Sequence, residues 1–167
     1  GLCMLDTRYE ATRVSDVLRF AAIRSLEEDS EVFPCDVSQN GRARRIYTQR
    51  EPFNLIGAIT PFNHPLNQVV HKVAPAIATN NKVVLKPSAH TPLSAYYFAR
   101  VAHECGLPPH MLNVVSGTVH EVAEPLVASE LVDLLTFTGG SRVGREIASR
   151  AGYKRVILEL GGSSPLL

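Results

Sequence analysis

The chain has 167 residues, 45% of them apolar and 20% charged, with a formal net charge of +1. That is enough for one domain with a sizeable core, and the wrong balance for a disordered chain. The near-neutral charge gives no electrostatic case for nucleic acid or an anionic membrane, and no apolar run reaches the roughly 18 residues of a membrane span.

In chain order, Val14, Val17, Leu18, Ala21 and Ala22 recur among charges at helical spacing and predict a helix over 7–28. "EEDSEVFPCDVSQNGRARR" follows, polar and rich in turn residues, with little periodicity. "RRIYTQREPFNLIGAIT" reads as extended chain broken at Pro52. From there apolar strands at 55–60, 82–86, 112–115, 133–138 and 155–159 alternate with helical segments near 66–79, 92–105, 120–128 and 142–151. Such alternation with short links predicts a parallel sheet with helices on both faces. Thr91 before Pro92 reads as a cap followed by proline at the first helical position, and Gly106 as the stop. Pro75 is expected to kink the helix that holds it. Cys3, Cys35 and Cys105 are odd in number and widely spaced, which suggests reduced thiols in a cytoplasm rather than a disulfide frame or a metal site. The opening stretch "GLCMLDTRYEATR" carries no pattern of a signal peptide.

Ligands of open parallel sheets bind beyond the carboxyl ends of the strands. The segments there are "TPFNHPLN", "KPSAHTP", "SGTVHE", "TGGSRVG" and "ELGGS". They bring Asn63, Lys86 and Glu159 into consideration together. Gly139, Gly140 and Gly144 lie where a strand opens into a helix; such a turn either faces a phosphate with backbone N–H groups or is merely tight. Lys86 either reaches a ribose hydroxyl or phosphate or is a solvated strand-end lysine. Asn63 either donates to an oxyanion or bonds its own backbone in a turn. Glu159 ends an apolar run, where a carboxylate is costly without work or a partner. His64 and His71 give no metal pattern, and His71 is expected on a helix surface.

"AITPFNHPLN", "NKVVLKPSAHTPLSA", "GLPPHMLNVVSG", "LLTFTGGSRVG" and "VILELGGSSP" resemble, in this order and approximate spacing, signatures of the aldehyde dehydrogenase superfamily. The resemblance covers nearly the whole chain. "GLCMLDTRYEATRVSDVLRFA", "PFNHPLNQVVHKVAPAIATNN" and "RAGYKRVILELGG" are most similar to its phosphonoacetaldehyde dehydrogenase branch. The resemblance implies a Rossmann-like α/β sheet of about five strands. It divides the chain into a helical segment at 1–43, part of an oligomerisation strand at 44–56 and an NAD(P)-binding domain at 57–167. It also implies an enzyme oxidising a small anionic aldehyde with NAD or NADP, in the cytoplasm, as a homo-oligomeric dimer or tetramer.

For single residues, the resemblance implies that Asn63 holds the oxyanion and that Glu159 is the base for the deacylating water. It places Ile59, Thr60, Pro61 and Phe62 along the cofactor cleft and Lys86 on the adenosine ribose. Gly139 and Gly144 fall in the pyrophosphate turn. Ser88, Ala89, Gly117, Gly140, Leu160 and Gly161 complete the cofactor set, and Arg13 with His64 holds the substrate's anion. A guanidinium fork suits a phosphonate.

Four positions depart from the pattern: Ala89 where glutamate is usual, Gly140 for serine, Val119 for glycine and Ser163 for lysine or asparagine. Ala89 removes a carboxylate that would repel a 2′-phosphate, which leaves room for NADP. The family's nucleophilic cysteine matches none of the three here, so the chain is expected to be a fragment without the catalytic cysteine domain, inactive alone. A non-catalytic dinucleotide-binding module and an interaction protein pairing through 44–56 remain as other readings.

Overall fold

The computed structural model describes residues 2–27 and 29–164. Gly1, Glu28 and Pro165–Leu167, which the sequence reading placed in the N-terminal segment, the first helix and the NAD(P)-binding domain, lie outside them. Helix α1 spans Met4–Arg24, three residues earlier at its start than its apolar spacing predicts. The start is set by Cys3, whose extended backbone hands its carbonyl to the Thr7 amide at 3.0 Å. Two short strands follow, β1 (Val32–Phe33) and β2 (Ile46–Tyr47), paired antiparallel. β1 lies in the stretch read as turn-rich, since two residues are too short for a period to show.

The main sheet holds β3 (Leu55–Ile59), β4 (Lys82–Lys86), β5 (Leu112–Val114), β6 (Leu134–Gly139) and β7 (Arg155–Leu160). All neighbours are parallel, in the order β5-β4-β3-β6-β7. Only Ile46–Tyr47 of the 44–56 stretch is strand before β3 takes its last two residues. Asp133 fixes that junction: its Oδ2 accepts from the Asn54 and Leu55 amides, both at 3.0 Å, and so ties the start of β3 to the start of β6.

Alternation along the strands feeds two cores. Ile56, Ala58, Val83, Leu85 and Leu134 face α2 (Asn67–Ala78) and α3 (Leu93–Glu104), where Val69, Val73 and Ala95 are fully buried. Leu135 and Phe137 face the other way, against α4 (Glu124–Ala128) and α5 (Ser141–Arg150) through Leu126, Val127 and Ile147. Helices therefore cover both faces, as the sequence implied. α2 continues through Pro75 to Ala78. Gly106 ends α3 at φ +95°, a conformation that favours glycine.

Two details differ from expectation. Thr91 does not cap α3: its amide turns back to the Ser88 carbonyl at 3.2 Å, its buried hydroxyl has no partner, and Pro92 is the capping position. The segment near 120–128 opens as a wide π turn over Val119–Ala123, capped reciprocally by Thr118 and Glu121, before α4 begins.

Candidate active site

The strand order reverses at β3. The chain leaves it for β4 and β5 on one side and returns to β6 and β7 on the other. Loops after β3 and β6 must therefore splay apart at their carboxyl ends, and a crevice opens between them. A cavity of about 730 Å³ occupies that place. Its walls come from the loop after β3, helix α2, the ends of β6 and β7, and Arg13 of α1.

Nine of the residues singled out from sequence meet there: Arg13, Pro61, Phe62, Asn63, His64, Gly139, Glu159, Leu160 and Gly161. Asn63 is exposed and its amide bonds none of the described residues, so it is not a self-bonded turn asparagine. Glu159 stands opposite Thr138 in the β6–β7 register. It is exposed on the edge strand, so the desolvation cost expected of it does not arise. Phe62 meets the His90 ring edge-on at 6.0 Å, which links the loops after β3 and β4. None of the three cysteines lines this cavity.

The remaining predicted residues do not line the cavity. Ile59 ends β3 half-buried, and Thr60 is buried with its amide on the Lys86 carbonyl at 3.2 Å. Lys86 is not a solvated lysine: it is 7% exposed, and its ammonium has only a long 3.5 Å contact to the Pro87 carbonyl. Ser88 accepts from the His90 amide, Ala89 is exposed, and Gly117 would drive a Cβ into Val122. Gly139 and Gly144 have packing reasons of their own, since a Cβ would come within 2.5 Å of the Phe137 ring and 2.4 Å of Leu160 respectively. Gly140 is different. It is the N-cap of α5, has no side-chain cap, and faces open space. A helix N-terminus without a side-chain cap and an underpartnered buried lysine, both at the carboxyl ends of the strands, suit a dinucleotide's pyrophosphate and ribose.

Sequence reasoning missed several polar residues. Lys72 is buried on α2 and donates to Thr136 Oγ1 at 3.0 Å. Burial pulls its pKa down to about 8, partly opposed by the nearby Glu159 carboxylate. His71 stands on the surface of α2 as expected, but that surface is the cavity wall. Its pKa is lowered by burial and by the cations Arg13 and Lys72. Asn67 Oδ1 and Thr138 Oγ1 are buried cavity-wall acceptors without partners. No local pattern marks these residues, because the partner of Lys72 lies 64 residues away and the cavity wall is assembled from segments far apart in the chain. Among the described residues no cluster suits a metal ion and no helix is long and apolar enough to cross a membrane.

The fold and the cavity define a Rossmann-like α/β unit with an unbonded asparagine amide and a carboxylate at its switch point. The chain belongs to the aldehyde dehydrogenase family, whose model matches residues 1–167. It is 38% identical to the 3-sulfolactaldehyde dehydrogenase of Priestia megaterium, over 98% of this chain and 34% of that protein. Aldehyde dehydrogenase 21 of Physcomitrella patens, solved with the reaction product succinate, superposes with a TM-score of 0.93 at 37% identity, covering 99% of this chain and 34% of that one. The glyceraldehyde-3-phosphate dehydrogenase GapN of Methanocaldococcus jannaschii, complexed with NADP, superposes with a TM-score of 0.81 at 39% identity, covering 93% and 34%. The chain thus spans about a third of the length of the relatives it matches.

Proposed function

We propose that the chain is the cofactor-binding part of an NAD(P)-dependent aldehyde dehydrogenase that oxidises a small anionic aldehyde, most specifically phosphonoacetaldehyde, to the carboxylate. The observation that carries this reading is the convergence of Asn63, Glu159, Arg13 and His64 on one cavity at the switch point. A relative that acts on 3-sulfolactaldehyde and a structural neighbour that yields succinate supply precedents for anionic partners.

A bound NAD(P) would supply the hydride acceptor. The residues of this chain do the rest except for the attack, which requires a cysteine thiolate from outside these 167 residues. Asn63 donates its amide N–H to the oxyanion that forms when the carbonyl is attacked. Glu159 removes a proton from water, whose oxygen then replaces the thiolate at the acyl carbon. Overall an aldehyde and water become a carboxylate, with one hydride to the nicotinamide and two protons released. Lys86 would hold the ribose hydroxyls, and the N-terminus of α5 at Gly140 would hold the pyrophosphate. Arg13 and His64 pair with the substrate's anionic substituent.

Two kinetic comparisons on the full-length protein test this. Arg13→Ala should raise KM for phosphonoacetaldehyde at least tenfold and leave that for propanal unchanged; equal effects on both would make Arg13 structural. Because Ala89 supplies no carboxylate to repel a 2′-phosphate, NADP should serve within about tenfold of NAD, roughly 1.4 kcal/mol. A thousandfold preference for NAD would overturn the cofactor reading.

A further inference from the structure

Helix α1 has a single buried residue, and it is a carboxylate: Glu10, 4% exposed. An apolar residue would be the ordinary choice for docking one helix on another, and a buried carboxylate is costly unless it is hydrogen-bonded. Glu10 is hydrogen-bonded. One of its oxygens, Oε1, accepts from the Leu66 amide at 2.9 Å and from the Asn67 amide at 2.8 Å. Those amides open α2, whose own N-cap residue, Leu66, has no side chain able to cap it. The cap therefore comes from another helix, 56 residues earlier in the chain, and its negative charge sits where the helix dipole favours it.

The loop from Pro61 to Pro65 is consequently held at both ends. At the strand end Thr60 is pinned to the Lys86 carbonyl at 3.2 Å, and at the helix end Glu10 holds Leu66 and Asn67. Between the pins lie Asn63 and His64. Glu10 also shares a helix face with Arg13, one turn further on. One carboxylate thus fixes both the loop that carries the oxyanion donor and the helix that carries the guanidinium. Since Glu10 already occupies the N-terminus of α2, that terminus is not available to a substrate anion.

We infer that Glu10 is a positioning residue, which sets the placement of Asn63 relative to Arg13 by clamping the first turn of α2. This rests on the roles proposed above for those two residues. In the full-length enzyme, Glu10→Asp is one methylene too short to hold both amides. It should speed hydrogen exchange at Leu66 and Asn67 at least tenfold and lower kcat for the anionic aldehyde at least tenfold. The cofactor Kd should stay within twofold. Glu10→Gln keeps an oxygen in place and should hold kcat within threefold of the parent. Wild-type kcat in Glu10→Asp would overturn the inference, as would a parallel loss of cofactor binding or a Gln variant no better than Asp. Asn63→Ala runs beside them: wild-type turnover there overturns the oxyanion role itself. It is told apart from a failure at Glu10 by the exchange rates, which report the clamp directly.

Discussion

Asn63 and Lys72 sit on opposite sides of one question, how a polar residue comes to matter in this cavity. Asn63 carries an amide that bonds none of the described residues, so it is free for an oxyanion, and Asn63→Ala in the full-length enzyme should lower kcat by about a hundredfold with little change in cofactor affinity. Lys72 is committed, buried against Thr136 with its pKa pulled from 10.5 to about 8. The folded amine releases its proton at a lower pH than the unfolded one. The unfolded chain therefore binds more protons between about pH 8 and 10.5, and stability rises with pH across that window. Below it the buried charge is a constant cost. Lys72→Met should thus raise stability at pH 7 by about 1–2 kcal/mol, the shift being offset by the unpaired Thr136 hydroxyl. The advantage should fade toward pH 10, as thermal melts across that range would show; a pH-independent difference would remove burial of the charge as its cause. Asn63 was singled out through the resemblance of its motif, since from its own residues it stood open between an oxyanion donor and a self-bonded turn asparagine. Lys72 and Glu10 were not, since Thr136 lies 64 residues away and Leu66 lies 56 away. A side chain's burial is decided by what folds over it, and no local pattern carries that.

The same contrast holds among the elements. All five main strands were readable within a residue or two, because apolar runs bounded by turn residues are both the signal and the cause of a sheet buried on both faces. β1 was not, for two residues have no period; β2 falls in a stretch read as extended chain, and each of the two strands exists only through the other. The packing of α5 on β7 was half legible. Gly144 was read as part of a phosphate turn, yet it is buried inside α5, where a Cβ would lie 2.4 Å from Leu160 Cδ2. Leu160 is 37% exposed and lines the cavity, so it has somewhere to go. In Gly144→Ala the methyl should push Leu160 into the cavity, while the better helix propensity of alanine, about 1 kcal/mol, offsets the lost packing. The expected result is a melting temperature within a few degrees of the parent and a cofactor Kd raised at least fivefold. A variant with unchanged Kd would show that Leu160 yields in another direction.

At the scale of the whole molecule the surface is too large for the mass. A compact monomer of 18.2 kDa has an accessible surface of about 8,100 Å² by the usual scaling, whereas this chain exposes 11,769 Å². The excess is not spread evenly. On α1, Met4, Leu5, Tyr9, Phe20 and Ile23 are between 59% and 78% exposed, although the helix is long and well formed. The β1–β2 pair adds Val32 at 84% and Tyr47 at 68%, and its two strands have free edges. Uncovered apolar area of this kind favours association, and a free strand edge is a template for pairing. The sheet with its helices has two cores of its own, so a polypeptide of these 167 residues should fold around them. It should not stay monomeric. Expressed by itself it should self-associate as its concentration rises, bind NAD(P) weakly, and oxidise no aldehyde, because no thiolate stands in the cavity. Phe20→Glu with Ile23→Lys, both on the exposed side of α1, should shift light scattering toward the monomer without lowering the melting temperature, since neither side chain supports a core. A parent polypeptide that stays monomeric at every concentration would mean that α1 and the β1–β2 pair fold back over their own apolar residues in solution.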